Sequence, residues 1–314
     1  MSKCRGETAF TGNEELIRRE ALSLGFSYCS IARYEQLEPL RPFYTGFIAQ
    51  QALPGMDYLS TFLEQRLDPG LLLKGTKSVI ALLMNYYPQQ VVPEADNFII
   101  SKYAYGGDYH KLLRKRLKTL IGHMKLLAEN LEAKAFVDSG PVLEKAWAQR
   151  SGIGWQGRNT LIINKSAGSF FFIGIILTNL ELKADIPETD HCGNCTLCVN
   201  ACPTGALHTP YQLDIKKCIS YQTIENKEAI PDDVKTKLSG RIYGCDLCQD
   251  VCPYNRFAVP HAIPEFNPSE SLMNFRKKDW LSLTEADFDR IFAASPLKRL
   301  GYDRLMRNIR AAAH

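Results

Sequence analysis

The chain has 314 residues, 45% of them hydrophobic and 23% charged, with a formal net charge of +4. That length buries a substantial core in one large or two moderate domains, and the composition is that of an ordinary globular protein. No apolar run approaches the ~18 residues of a membrane span, the start Met1-Ser-Lys-Cys-Arg-Gly-Glu lacks the basic-then-apolar pattern of a secretory signal, and a mild positive charge does not by itself imply nucleic acid. A cytoplasmic chain without membrane association is expected.

From the N-terminus, residues 13–25 read as a helix with Asn13 as N-cap and Gly25 as its stop. Ser78 to Met84 is a continuous apolar run of buried-strand length. Asp108 to Asn130 reads as a long helix carrying Leu112, Leu113, Leu117, Leu120, Ile121, Met124 and Leu127 on one stripe. Ala135-Phe-Val137 reads as a short strand, and Pro141 to Arg150 as a helix with Pro141 in its first turn. Thr160 to Ile163 and Phe170 to Thr178 then read as two strands joined through Asn164–Gly168 in a hairpin. A final helix is expected around Asp303 to Ala313. The fold class is therefore α/β or α+β over residues 1–185, with a cysteine-rich, turn-rich segment over 186–260. Residues 261–314 return to ordinary composition, as a helical segment packing on the rest.

Eight of the ten cysteines lie between Cys192 and Cys252, leaving only Cys4 and Cys29 outside. A secreted disulfide scaffold would be short and cysteine-bearing throughout, so this crowding points to metal. Cys192-x2-Cys195-x2-Cys198-x3-Cys202-Pro203 is the complete bacterial ferredoxin run, in which three thiolates wrap one cluster and the fourth reaches its neighbour. A zinc ribbon would lack the third spaced cysteine and the trailing Cys-Pro. The second run, Cys245-x2-Cys248-x3-Cys252-Pro253, has Ile242 where its first cysteine would stand. Either a three-iron cluster forms there or the fourth ligand comes from elsewhere. Cys218 supplies the missing count, giving Cys192, Cys195, Cys198 and Cys252 to one cluster and Cys202, Cys218, Cys245 and Cys248 to the other. Eight thiols for eight positions favours two 4Fe–4S clusters of a ferredoxin-like domain. The C-x3-C-x2-C pattern of radical enzymes using adenosylmethionine is absent from both runs. Gly152-Ile-Gly154-Trp-Gln-Gly157 matches a dinucleotide fingerprint by letters, but it follows a helix and precedes a strand, with no acidic residue about twenty positions on. It reads as a glycine-rich turn.

A resemblance covers nearly the whole chain in order. Phe136-Val-Asp138-Ser-Gly-Pro-Val-Leu-Glu-Lys through Gly152-Ile-Gly-Trp to Ile163, then Gly168-Ser-Phe170, resembles the epoxyqueuosine reductases. So do Ala104-Tyr-Gly-Gly-Asp-Tyr-His110, Cys218-Ile-Ser-Tyr221 and Gly240-Arg-Ile-Tyr-Gly-Cys245-Asp-Leu-Cys248. The resemblance implies a cobalamin cofactor in a mixed α/β catalytic domain, and electrons passing through two clusters from an external low-potential donor. It also implies a tRNA substrate whose wobble epoxyqueuosine is reduced to queuosine, the last step of that nucleoside's biosynthesis. Asp138 matches the family's proton donor; a carboxyl in that role needs its pKa raised by burial beside an apolar cofactor. The competing reading makes Asp138 a cap for the helix after it. Arg66, Ser101, Ile162, Ser169, Phe170 and Ser220 match cobalamin contacts, although Arg66 also reads as a solvated helix charge and Ile162 and Phe170 as core strand residues. The six histidines are scattered and read as packing or surface residues.

A tRNA substrate calls for phosphate-neutralising surface. Candidates are Lys111, Arg114, Lys115, Arg116 and Lys118, then Arg276, Lys277 and Lys278, then Lys298, Arg299, Arg304, Arg307 and Arg310, all of which equally fit solvated helix faces. Tyr103, Tyr105 and Tyr109 are suited to stacking on bases or to packing. No appended helical-repeat module is visible before His314, and a monomer is expected. A reductive dehalogenase, disfavoured by the lack of a twin-arginine signal, and a plain iron–sulfur electron carrier are the alternatives.

Overall fold

The computed structural model describes residues 12–50 and 60–313; Cys4, the N-terminal start and His314 lie outside the described residues. Strands β1 (Tyr28–Arg33), β2 (Ser78–Asn85), β4 (Ala133–Phe136) and β7 (Phe171–Thr178) form a sheet of order β1-β2-β7-β4, antiparallel throughout. The unbroken apolar run of β2 is explained by cover on both faces. Ile80, Leu82 and Met84 pack with the helix Asn13–Ser23 through Ile17 and Ala21, and with the helix Tyr109–Met124 through Leu113, Leu117 and Leu120. Val79, Ala81 and Leu83 point to the other side, onto Leu67, Trp147 and Ala148. Each Val, Leu, Ile or Met among them contributes about 1.5–3 kcal/mol of burial.

Several boundaries differ from the sequence reading. Asn13 is the first helical residue, with Gly12 at the cap, and the Tyr109–Met124 helix ends six residues before Asn130. Pro141 lies ahead of its helix, which runs Glu144–Arg150 behind Leu143. The expected hairpin is absent: β6 (Ile162–Ile163) pairs with β5 (Trp155–Gln156), while β7 takes its place between β2 and β4. A single bridge, Asn164 to Gly168, marks the turn. Hydrophobicity alone does not say which neighbour a short strand takes.

The C-terminal helix Tyr302–Ala312 packs on β8 (Arg241–Tyr243), which pairs in parallel with β3 (Ile99–Ile100). The buried Asn308 donates to the carbonyls of Thr223 (2.7 Å) and Ile242 (2.9 Å). These bonds tie the chain's end to the cysteine-rich segment, and no helix among the described residues is long and apolar enough to cross a membrane.

Candidate active site

The two cysteine runs fold alike. Cys198 lies in the four-residue helix Leu197–Asn200 with Cys202-Pro203 just beyond; Cys248 lies in Leu247–Asp250 with Cys252-Pro253 just beyond. The two helices touch, crossing the last cysteine of each run to the other side. A cavity of about 70 Å³ is lined by Cys192, Cys195, Cys198 and Cys252. A second, of about 310 Å³, is lined by Cys202, Cys218, Cys245 and Cys248 among others. Ile242 is wholly buried in β8, and Cys218 reaches the second cavity from the start of the helix Ile219–Ile224. All eight thiols are free. Burial, reinforced by neighbouring thiolates, raises Cys218 and Cys248 and pushes Cys245 up to about 11. A positively charged iron–sulfur core reverses that penalty, so the donor set fits a 4Fe–4S cluster in each cavity.

Asp138 follows β4 at the sheet edge with φ +57°, in a tight turn closed by Ser139 N donating to Val137 O at 2.6 Å. This conformation is costly for a residue with a Cβ, and such strain is found where function requires a particular placement. The carboxylate caps no helix. Its Oδ2 accepts from the Tyr109 hydroxyl at 2.8 Å and faces His110 Nε2 at 2.9 Å. His110 Nδ1 faces Asp108 Oδ1 at 2.7 Å, and Asp108 also caps the Tyr109–Met124 helix through the His110 amide. Each ring nitrogen thus meets a carboxylate. Arg299 completes the group, its Nη1 standing 2.7 Å from His110 Nε2.

The expected upward shift of Asp138 is not found. Burial pulls its carboxyl up, but the hydrogen bonds from His110 and Tyr109, with the charges of His110 and Arg299, outweigh it and hold the group below the usual aspartate range. The raised carboxyl is its neighbour. Glu144 Oε1 accepts the Asp138 amide at 2.5 Å, and burial, reinforced by the Asp138 charge, pushes Glu144 up to about 8. Reading the histidines singly, as scattered packing or surface residues, missed His110, and Glu144 was not singled out; the available signal was Asp108-Tyr-His110 within the resembling segment.

Asp138, His110, Tyr109 and Arg299 line a cavity of about 320 Å³ that also meets Tyr103, Lys227 and Tyr243. Tyr103 borders the thiol-lined 310 Å³ cavity too, as do Ser101, Ser220 and Lys145. Ser101 is buried and donates to Asp246 Oδ1 at 2.7 Å. Ser169 and Phe170 sit beside a different cavity, or behind it: Ser169 bonds to Asn255, and Phe170 lies against Tyr87 and Lys102 near Cys252. Ile162 is in the core beneath the sheet. Arg66, on the short helix Leu63–Leu67, is close enough to Glu144 for its charge to be felt there. Among the basic candidates, Lys111, Arg114, Lys115 and Lys118 are exposed. Others are committed internally. Arg116 donates to Leu24 O, Arg304 to Ile224 O, and Arg307 to the carbonyls of Asn226 and Gln222, while Lys298 pairs with Asp289. Tyr105 is a core residue.

Paired short helices and two sets of four thiols beside a layered α/β sheet define an iron–sulfur oxidoreductase. A family model described as 4Fe-4S double cluster binding domain matches residues 191–255. One described as epoxyqueuosine reductase QueG, DUF1730, matches residues 66–139. The epoxyqueuosine reductase of Cellulophaga algicola is 44% identical over 298 residues, 95% of this chain and 97% of that protein. A crystal structure of epoxyqueuosine reductase with an epoxyqueuosine-modified tRNA-Tyr stem loop superposes with a TM-score of 0.84 at 32% identity, covering 95% of this chain and 80% of that one. The structure of the Streptococcus thermophilus epoxyqueuosine reductase gives a TM-score of 0.85 at 30% identity, over 96% and 81% of the two chains. The chain belongs to the epoxyqueuosine reductase family.

Proposed function

We propose that this protein reduces epoxyqueuosine to queuosine at the wobble position of tRNA, with cobalamin as the reacting cofactor and two 4Fe–4S clusters as the electron relay. One observation carries the reading: Tyr103 is a shared wall between the cavity that reaches four thiols and the cavity that holds Asp138. Electron entry and proton donation thus meet at one place. Beside the four thiols, Tyr86, Leu161 and Leu213 give the first of these cavities an apolar wall next to the hydroxyls of Ser101 and Ser220, the kind of surface a corrin would pack against alongside the cluster. Arg66, Ile162, Ser169 and Phe170 are assigned with them to cobalamin binding, Ser169 through Gln249 and Phe170 through Tyr86, both of which line that cavity. Cobalamin, when bound and reduced, supplies the strong nucleophile that opens an epoxide.

Removing the epoxide oxygen as water consumes two electrons and two protons. Asp138, whose carboxyl is held low and is therefore charged at rest, takes up each of the two protons before handing it to the departing oxygen. His110, bonded to the same carboxylate oxygen, returns a proton to it, and Tyr109 fixes the carboxylate's orientation. Arg299 and the exposed Lys111, Arg114 and Lys115 supply positive charge for the anticodon-loop backbone. Residues 1–185 form the catalytic unit, 186–260 the cluster-holding unit and 261–314 a segment packed on both. The protein works as a cytoplasmic monomer fed by an external low-potential donor.

The test is anaerobic incubation of the reconstituted protein with cobalamin, a chemical reductant and epoxyqueuosine-bearing tRNA, followed by nucleoside analysis. Queuosine is the expected product. Fully loaded protein that leaves epoxyqueuosine unchanged overturns the reading.

A further inference from the structure

The dinucleotide look-alike Gly152-Ile-Gly154-Trp155-Gln-Gly157 has no part in the chemistry above, yet its backbone is tightly constrained. Gly152 has φ +76°, and a Cβ there would lie 2.1 Å from the Ile186 carbonyl oxygen; a Cβ on Gly154 would lie 2.5 Å from that of Ile163. The loop therefore presses on β6 and on the segment leading into Cys192. Beside it stands Trp155, with 0% of its surface exposed, and its Nε1–H donates to Cys192 Sγ at 3.4 Å. The indole is held edge-on by His191 at 4.9 Å and by Tyr254 at 4.8 Å. The Tyr254 hydroxyl donates in turn to the His191 carbonyl at 3.2 Å. His191 adjoins Cys192, and Tyr254 lies just past Cys252. The indole is thus clamped by both segments that bring thiols to the smaller cavity.

We propose that Trp155, through this N–H to sulfur hydrogen bond, sets the reduction potential of the cluster held by Cys192, Cys195, Cys198 and Cys252. The inference rests on the cluster assignment given under the proposed function. Reduction adds one electron from the external donor, with no bond made and no proton moved, and part of that charge falls on the thiolate sulfurs. A donor aimed at one of those sulfurs stabilises the reduced form more than the oxidised form, so the cluster is easier to reduce. Burial gives the bond its weight, because no solvent reaches the indole's place to substitute for a lost N–H. Among the described residues the other four thiols meet no indole: Cys202 Sγ lies 3.6 Å from Thr204 Oγ1, and Cys218 and Cys245 accept from backbone N–H groups of Ser220, Tyr221 and Leu247. The effect of Trp155 is therefore confined to one cluster.

The experiment compares wild-type full-chain protein with Trp155→Phe, and with a variant bearing 3-benzothienylalanine at 155, which keeps the indole shape and replaces its N–H by sulfur. Both clusters are followed by paramagnetic resonance during a potentiometric titration, with iron counted in each sample. In both variants one midpoint falls, raising that cluster's oxidised-to-reduced ratio at fixed potential by about 3- to 10-fold, where tenfold is about 59 mV for one electron; the other midpoint stays. Fully iron-loaded variants with both midpoints unmoved, or both displaced alike, overturn the proposal. If Trp155→Phe loses iron, the benzothienyl variant decides by the same criterion. A wild type holding only one cluster's iron would overturn the cluster assignment itself, a result distinct from an unmoved potential.

Discussion

In the central sheet, β2 buries both of its faces without a polar interruption. Between residues 192 and 252, by contrast, helices are four to six residues long, and apolar side chains gather in small groups such as Ile219, Ile230, Val234 and Leu238. Helices that short have little stability of their own. The sheet region is held by its own hydrophobic layers. The cysteine-rich region has its thiols already grouped, but at the cost of thiolate crowding that an iron–sulfur core relieves. The difference separates what folding alone supplies from what the cofactors must add, and it implies that damage in one region leaves the other's readout intact.

The strongest test of that separation is Cys218→Ser. Turnover should be abolished and iron should fall by about half, from about eight per chain, while amide exchange in β2 and β7 stays slow. Loss of protection in those strands would break the comparison. Next is Asp138→Asn, at the sheet edge. It should retain iron and lose turnover by about 10²- to 10⁴-fold, the usual contribution of a positioned proton donor; wild-type rates would remove Asp138 from the chemistry.

His110→Gln should cost less, roughly 10- to 100-fold in kcat/KM, as expected of a partner that supplies another group from behind while Tyr109 still holds the carboxylate. It also carries a distinguishing sign. Because His110 helps hold the Asp138 carboxyl low, its removal moves the limb of the pH profile that reports Asp138 to higher pH, and an unmoved limb contradicts the role. The smallest effect is in stability. Glu144 titrates near 8 when folded against an ordinary value of 4.5. The folded state therefore keeps a proton that the unfolded chain has lost, and stability declines as pH rises across that window. Glu144→Gln removes the decline. Its Tm should match the wild type near pH 4 and exceed it by a few degrees above pH 8, with about 2–4 °C corresponding to 1 kcal/mol for a large domain. An equal difference at both pH values would contradict the assignment.

The elements that bury one or two complete faces were legible in the sequence. The β2 run follows from its unbroken apolar length and the stripe of Leu113, Leu117 and Leu120 from helical periodicity, and the last helix was placed within two residues of its ends. The cysteine spacing likewise announced clusters, because metal geometry imposes short, regular intervals. The partner of β6 was not legible, since two apolar residues fit several neighbours. Nor was the charge balance at Asp138. The residues that set it come from Tyr109 and His110 on one helix, Glu144 on another and Arg299 near the C-terminus, a convergence that no linear spacing encodes. The same limit applies to Arg304 and Arg307. By composition they resembled an RNA-binding surface, but they serve as clamps on the carbonyls of residues 222–226.

Iron and acid-labile sulfide analysis of anaerobically reconstituted protein addresses the central claim most directly. Two clusters on eight thiols predict about eight irons and eight sulfides per chain. About four or fewer, or zinc in their place, would contradict the account.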